Sequence, residues 1–190
     1  YEYNGYWKDV GTLGSYWEAN MELIDIIPEF NLYEEYWKIY TKSDITPPQY
    51  IAADAKVERS IIGEGTEVYG QVINSVIGAG VTIAKDAVVK DSIVMKGSVV
   101  GKGTVVEKAI VAENVTIGEN AHLGVGEYAP SKYDPKVYQS DLVTIGENSV
   151  IPDGVKIGKN TAIAGETVAE DYQDGLLASG DYIIKAGGVR

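Results

Sequence analysis

The stretch Ile77 to Leu123, IGAGVTIAKDAVVKDSIVMKGSVVGKGTVVEKAIVAENVTIGENAHL, decides the fold of this chain. Ile77, Ile83 and Val89, then Val94, Val100 and Val106, then Val111, Ile117 and Leu123 stand six apart within each trio and five apart between trios. Every trio therefore repeats after 17 residues. An amphipathic helix keeps a period near 3.6 and a half-buried strand a period of two, so neither fits. A step of six reads as hexapeptides, three to a coil, stacked into a parallel β-helix. Each hexapeptide supplies a short strand and a turn, and its first, aliphatic position is the one expected to point into a narrow core. Turns such as "IGEGTE", "IGAGVT" and "IGENAH" place Gly and Asn where the chain must bend, since both tolerate positive φ at little cost. A single coil cannot bury its aliphatic row alone, so stability is a sum over stacked neighbours.

Working outward, Ile51, Val57, Ile62 and Val68 open the pattern after Pro47-Pro48, and Ile145, Ile151, Ile157 and Ile163 resume it. Between Val68 and Ile77, around "YGQVINS", the step breaks and leaves the register open. Between Leu123 and Ile145 lies "GVGEYAPSKYDPKVYQSDLVT", with two prolines, three tyrosines and no step of six. A solenoid accepts insertions at its turns, so residues 124–142 are read as a loop that covers the flank or packs on a neighbour. The tail "LLASGDYIIKAGGVR" is expected to cap the last coil.

The first residues do not belong to the repeat. Strand-like aromatics fill "YEYNGYWKDV", "GT" marks a turn, and Leu13, Trp17, Asn20/Met21 and Ile24 fall at helical spacing between Thr12 and Ile26, with Pro28 as a stop. Ser15 and Glu18 form one capping pair, with Thr12 an earlier cap candidate. One strand and one helix are too little for a domain, so Tyr6, Tyr16 and Trp17 are expected to present aromatic surface to a partner. The chain thus divides into residues 1–26, a linker 27–50 and a β-helix 51–190.

Composition narrows the function. Against 16 Lys and Arg stand 28 Asp and Glu, a formal net charge of −12, which argues against nucleic acid as a partner. No apolar run could span a bilayer as a helix. The absence of cysteine excludes disulfides, thiol catalysis and cysteine-bound zinc. No signal peptide is visible, so a cytoplasmic location is expected.

"GYWKDVGTLGSYWEANMEL" at Gly5 to Leu23, followed by a Pro-Pro linker and a hexapeptide β-helix, resembles the carboxyl-terminal part of the bacterial glucose-1-phosphate adenylyltransferases. That resemblance covers essentially the whole chain. It implies a left-handed β-helix preceded by a strand-turn-helix remnant of an α/β nucleotidyltransferase domain. The implied reaction joins ATP to glucose 1-phosphate and releases pyrophosphate, with Mg2+ as cofactor and a homo-oligomer, commonly a tetramer, as the working form. Asp9 matches the aspartate that holds the metal with a second one outside these residues, and Trp7 an aromatic beside the sugar phosphate. Read without the resemblance, Asp9 is a turn or cap residue and Trp7 a core aromatic. Lys8 alternates to the other face of a regular strand and is read as a surface charge.

Two other classes stay open on the residues alone. Hexapeptide acyltransferases use a flank histidine as base, and His122, closing "IGENAH", is the sole histidine here. A non-catalytic assembly module would need neither substrate nor cofactor.

Overall fold

The computed structural model describes residues 2–32, 34–36, 38, 45–172 and 174–185. Short parallel strands of two to four residues build three flat faces. The first face stacks six strands from Tyr50–Ile51 to Val150–Ile151, the second seven from Lys56–Glu58 to Leu176–Leu177, and the third seven from Ile61–Ile62 to Tyr182–Ile184. The chain visits the faces in rotation, and every neighbouring strand pair is parallel, as a coil wound about one axis requires.

The register follows the aliphatic row. Ile83 pairs with Val100, Val89 with Val106, and Val94 with Val111. All thirteen repeat positions from Ile77 to Ile163 lie in the buried core, none more than 2% exposed. A second inward position accompanies them, two residues earlier and often small: Thr66, Ser75, Ser92, Ser98, Thr104 and Ala109 are fully buried beside their larger partners. The expectation of one inward residue per hexapeptide is corrected here. Val81, Val115, Val143 and Val155 hold the same place in other coils, and where the residue is Ser or Thr its hydroxyl stitches coil to coil. Ser98 Oγ donates to the Ala112 carbonyl at 2.8 Å and accepts from the Val115 amide at 3.1 Å. Thr104 does the same with Gly118 and Ala121, at 2.6 and 3.0 Å. Ser60, Ser75 and Ser92 form a column in which each hydroxyl accepts from an amide one coil on, at 3.1, 3.1 and 3.0 Å.

The corners explain the steps. Between the second and third faces the step is five, and one residue at each such corner stands in the left-handed region: Arg59, Asn74, Asp91 and Lys108, at φ of 43 to 50°. Such a conformation is costly for most non-glycine residues, and it is held by stacked bonds from the Asn74, Asp91 and Lys108 amides to the previous coil, at 3.0 to 3.1 Å. The broken step resolves as a coil of 15 residues, with Ile62 pairing to Ile77 and Val57 to Val72. Gly70 makes the short cut possible, since a Cβ there would strike the Ala87 and Ala84 carbonyl oxygens. At the far end the tail adds strands to the second and third faces. Buried Tyr172, its hydroxyl 2.8 Å from Thr167 Oγ1, closes the core. Burial pushes the Tyr172 phenol up to about 12.

The first residues depart from expectation. Residues 2–10 form no strand, because a strand needs a neighbour to share its hydrogen bonds and none adjoins them among the described residues. The helix α1 spans Leu13–Glu22, shorter than the Thr12–Ile26 reading. Thr12 is its cap, exchanging bonds with Ser15, whose side chain takes the place expected of Glu18: Ser15 N donates to Thr12 Oγ1 and Thr12 N to Ser15 Oγ, both 3.1 Å.

Helix α1 lies along the third face. Leu13, Tyr16, Trp17 and Met21 pack on buried Ile93, Ile110 and Leu142. Tyr16 and Trp17 therefore do not await an outside partner, because the β-helix is the partner. Trp17 Nε1 donates to the Asp91 carbonyl at 2.8 Å, and the Lys108 ammonium stands 5.7 Å from the indole centroid. Beyond the helix, Asp25 pairs with Arg59 on the first coil at 3.2 Å. Of the linker, the Pro47 carbonyl accepts from Gly65 at 2.7 Å and Thr46 Oγ1 bonds Glu64 at 3.2 Å, while residues 39–44 lie outside the described residues. Residues 186–190 of the tail lie outside them too.

Candidate functional site

Asp9 stands three residues before the helix cap. Its Oδ1 accepts the Gly11 amide at 2.8 Å, an Asx turn that sets the chain up to enter α1. The carboxylate is exposed and makes no ion pair among the described residues. No other bond to this carboxylate occurs among the described residues, and a carboxylate oxygen is a hard, anionic ligand type. Alone it is not a metal centre: no cluster of three or more His, Cys, Asp or Glu suited to a metal occurs among the described residues.

Trp7 is 77% exposed, so the reading as a core aromatic does not hold. Asp9 and Trp7 are both exposed, two residues apart in the segment before the helix cap. Lys8 is not a lone surface charge. It pairs with Glu22 and, at 3.9 Å, with Glu18, and the Glu22 bond raises its pKa. Tyr6 joins this knot through Glu22 at 3.4 Å and lies 5.6 Å from the Phe30 ring. Lys8 thereby ties the Asp9 segment to the end of α1 as Thr12 ties it to the start. The sequence held this signal as oppositely charged residues 14 apart, a spacing that means nothing until the segment folds back on the helix.

His122 sits on the outer side of the second face. It lines a groove of about 400 Å³ with Asp91, Glu107, Lys108, Gly124 and Lys159. Its ring makes no hydrogen bond among the described residues, so nothing here orients it as a base.

The comparisons with known proteins agree with this architecture. Residues 47–145, more than half of the chain, match the family described as "GlmU-like, C-terminal hexapeptide". The chain belongs to that family. Its coil is accordingly the left-handed parallel β-helix, and the match begins at the Pro47-Pro48 pair where the first coil opens. Over nearly its whole length the chain is also similar to proteins named glucose-1-phosphate adenylyltransferase. It is 73% identical to the one from Lachnospira eligens over 98% of its residues, 58% to that of Thermotoga maritima over 97%, and 43% to that of Acetivibrio thermocellus over 98%. The chain spans 44% of the length of each of these relatives. No helix among the described residues is long and apolar enough to cross a membrane.

Proposed function

We propose that these residues are the carboxyl-terminal part of an enzyme that makes ADP-glucose and pyrophosphate from ATP and glucose 1-phosphate. The observation that carries the reading is the exposed, unpaired carboxylate of Asp9 within an intact "WKDVGT", in a chain 73% identical to a glucose-1-phosphate adenylyltransferase.

In this reading an oxygen of the sugar phosphate attacks the α-phosphorus of ATP in line and pyrophosphate leaves. Several negative charges converge, and fixed counter-charge is the main thing a protein can contribute. Mg2+, when bound, neutralises that charge and orients the phosphates. Asp9 holds the metal near the sugar phosphate, and exposed Trp7 offers an apolar wall to the glucose ring. The Thr12 cap and the Lys8–Glu22 pair keep the Asp9 turn in place. The β-helix anchors α1 and offers flat faces for association into a homo-oligomer, a tetramer as the resemblance implies. A cytoplasmic location completes the proposal.

Asp9→Asn in a protein of the relatives' full length is the test. It keeps the shape and removes the charge, so the rate should fall by about 10² to 10⁴, the range for loss of a preorganised electrostatic contact, with unfolding unchanged. Activity within about threefold of wild type would leave Asp9 as a turn residue only. ATP assayed against UTP, GTP and dTTP, each with glucose 1-phosphate, fixes the nucleotide.

A further inference from the structure

The insertion between Val125 and Val143 touches both the last coil and the start of α1. At the last coil the Lys132 amide donates to the Gly180 carbonyl at 2.8 Å, and its ammonium pairs with Asp181 at 2.5 Å. Asn160 donates to the Ala129 carbonyl at 3.0 Å, and the Tyr133 ring stands 5.1 Å from that of Tyr182. At the other end the insertion meets the helix start. A methyl on Gly14 would sit 2.5 Å from Ser140 Oγ, and Val137 lines a groove of about 360 Å³ with Val10, Gly11 and Thr12.

The middle of the insertion is braced by its own turns. Ser131 Oγ accepts from the Tyr133 amide at 3.2 Å, Asp134 Oδ1 from Lys136 at 2.9 Å, and the Asp134 carbonyl from Tyr138 at 2.9 Å. The Tyr133 and Tyr138 rings, 6.1 Å apart, continue the contact from one end to the other. A segment so tied transmits position, where a slack loop would not.

Asp9 is three residues from Thr12, and its carboxylate is bonded to the Gly11 amide. Whatever holds residues 10–14 therefore holds that carboxylate. We propose that the insertion is a positioning strap: Tyr133, seated on Tyr182 of the last coil, is a positioning residue that fixes the Asp9 turn through Val137 and Ser140. This rests on the reading of Asp9 as a metal-holding group. The strap makes the geometry at Asp9 depend on the state of the last coil, at the opposite end of the insertion.

The test uses the full-length protein with Tyr133→Ala and the conservative Tyr133→Phe. Hydrogen exchange of the metal-free protein compares residues 9–17 with the core strands between residues 99 and 106. Tyr133→Ala should speed exchange over 9–17 about tenfold and leave the core strands unchanged. The Mg2+ concentration for half-maximal activity should rise about fivefold while KM for ATP stays within about twofold, since small displacements of a positioned group cost rate steeply. Tyr133→Phe should behave as wild type. Unchanged exchange over 9–17, or a loosening shared equally by the core strands, overturns the strap. If Tyr133→Ala does not yield folded protein, Lys132→Ala at the same anchor carries the same expectations. Asp9→Asn measured alongside separates the two readings. An active Asp9→Asn removes the metal reading and the strap with it, whereas an inactive Asp9→Asn beside an unaltered Tyr133→Ala removes the strap alone.

Discussion

Trp17→Ala is the sharpest test of how the Asp9 segment is held, because one side chain carries three separable contacts. The indole N–H donates to the Asp91 carbonyl at 2.8 Å, a bond whose loss costs about 1 kcal/mol. The Lys108 ammonium lies 5.7 Å from the ring centroid, a contact of about 0.5 to 1 kcal/mol at a partly exposed site. Half of a tryptophan surface buried against Ile93 and Ile110 removes roughly 100 Å² from water, about 2 kcal/mol. The free energy for opening α1 from the β-helix, read from native-state hydrogen exchange of its amides, should fall by about 3 to 4 kcal/mol. Trp17→Phe keeps most of the ring and loses the N–H, so its loss should be about half as large. Lys108→Ala should cost about 0.5 to 1 kcal/mol more in the wild-type background than in Trp17→Ala, where its ring is already gone. A loss below about 1 kcal/mol for Trp17→Ala would refute the docking, and equal Lys108 effects in both backgrounds would refute the cation–π contact.

Further outcomes follow from the stack itself. Gly70→Ala drives a methyl into two carbonyl oxygens of the next coil, whereas Gly80, at φ +66° with no atom near its absent Cβ, meets only backbone strain. Urea unfolding should show about 1 kcal/mol lost for Gly80→Ala and at least about 3 for Gly70→Ala, and equal losses would disprove the short coil. Ser98→Ala strands the buried Val115 amide and should cost about 1 to 3 kcal/mol by the same measurement. Tyr172 titrates near 10 when unfolded and near 12 when folded, so its contribution is complete below pH 10 and disappears as pH rises to about 12. Melting curves of Tyr172→Phe should therefore lose less stability than wild type between those pH values. For assembly, light scattering across a tenfold range of concentration should show an oligomer, and a monomer throughout would remove the β-helix from that role.

Much of the fold was legible because each inward position is imposed by local geometry. A face two residues wide must point an aliphatic side chain inward every sixth residue, and Ile77 to Ile163 state this without any long-range information. The tight corner at Asp91 and Lys108 was visible as a step of five, though not as a left-handed residue, because lysine does not signal that conformation and aspartate signals it only weakly. Thr12 and Ser15 were both marked as cap residues, and only the bonds decided between pairings. Asp9 and Trp7 were reached through "WKDVGT" alone, since their spacing carries no chemistry by itself.

Tertiary structure decided what depends on partners distant in sequence. Helical spacing announced an apolar side with Leu13 and Trp17 on it but could not name the third face of the β-helix as its seat. The aromatic run at residues 2–10 has strand propensity, yet a strand exists only where a neighbour accepts its hydrogen bonds. Gly70 reads as any turn glycine until the next coil's carbonyls occupy the place of its missing side chain. Tyr133, Lys132 and Val137 lie in a stretch without periodicity, and their roles come from Tyr182, Asp181 and the Thr12 turn, which the winding of the chain brings to them. Periodicity is written along the sequence because each coil repeats the same local demand. Contacts between the helix, the insertion and the last coil occur once each, and a contact that occurs once leaves no repeat to read.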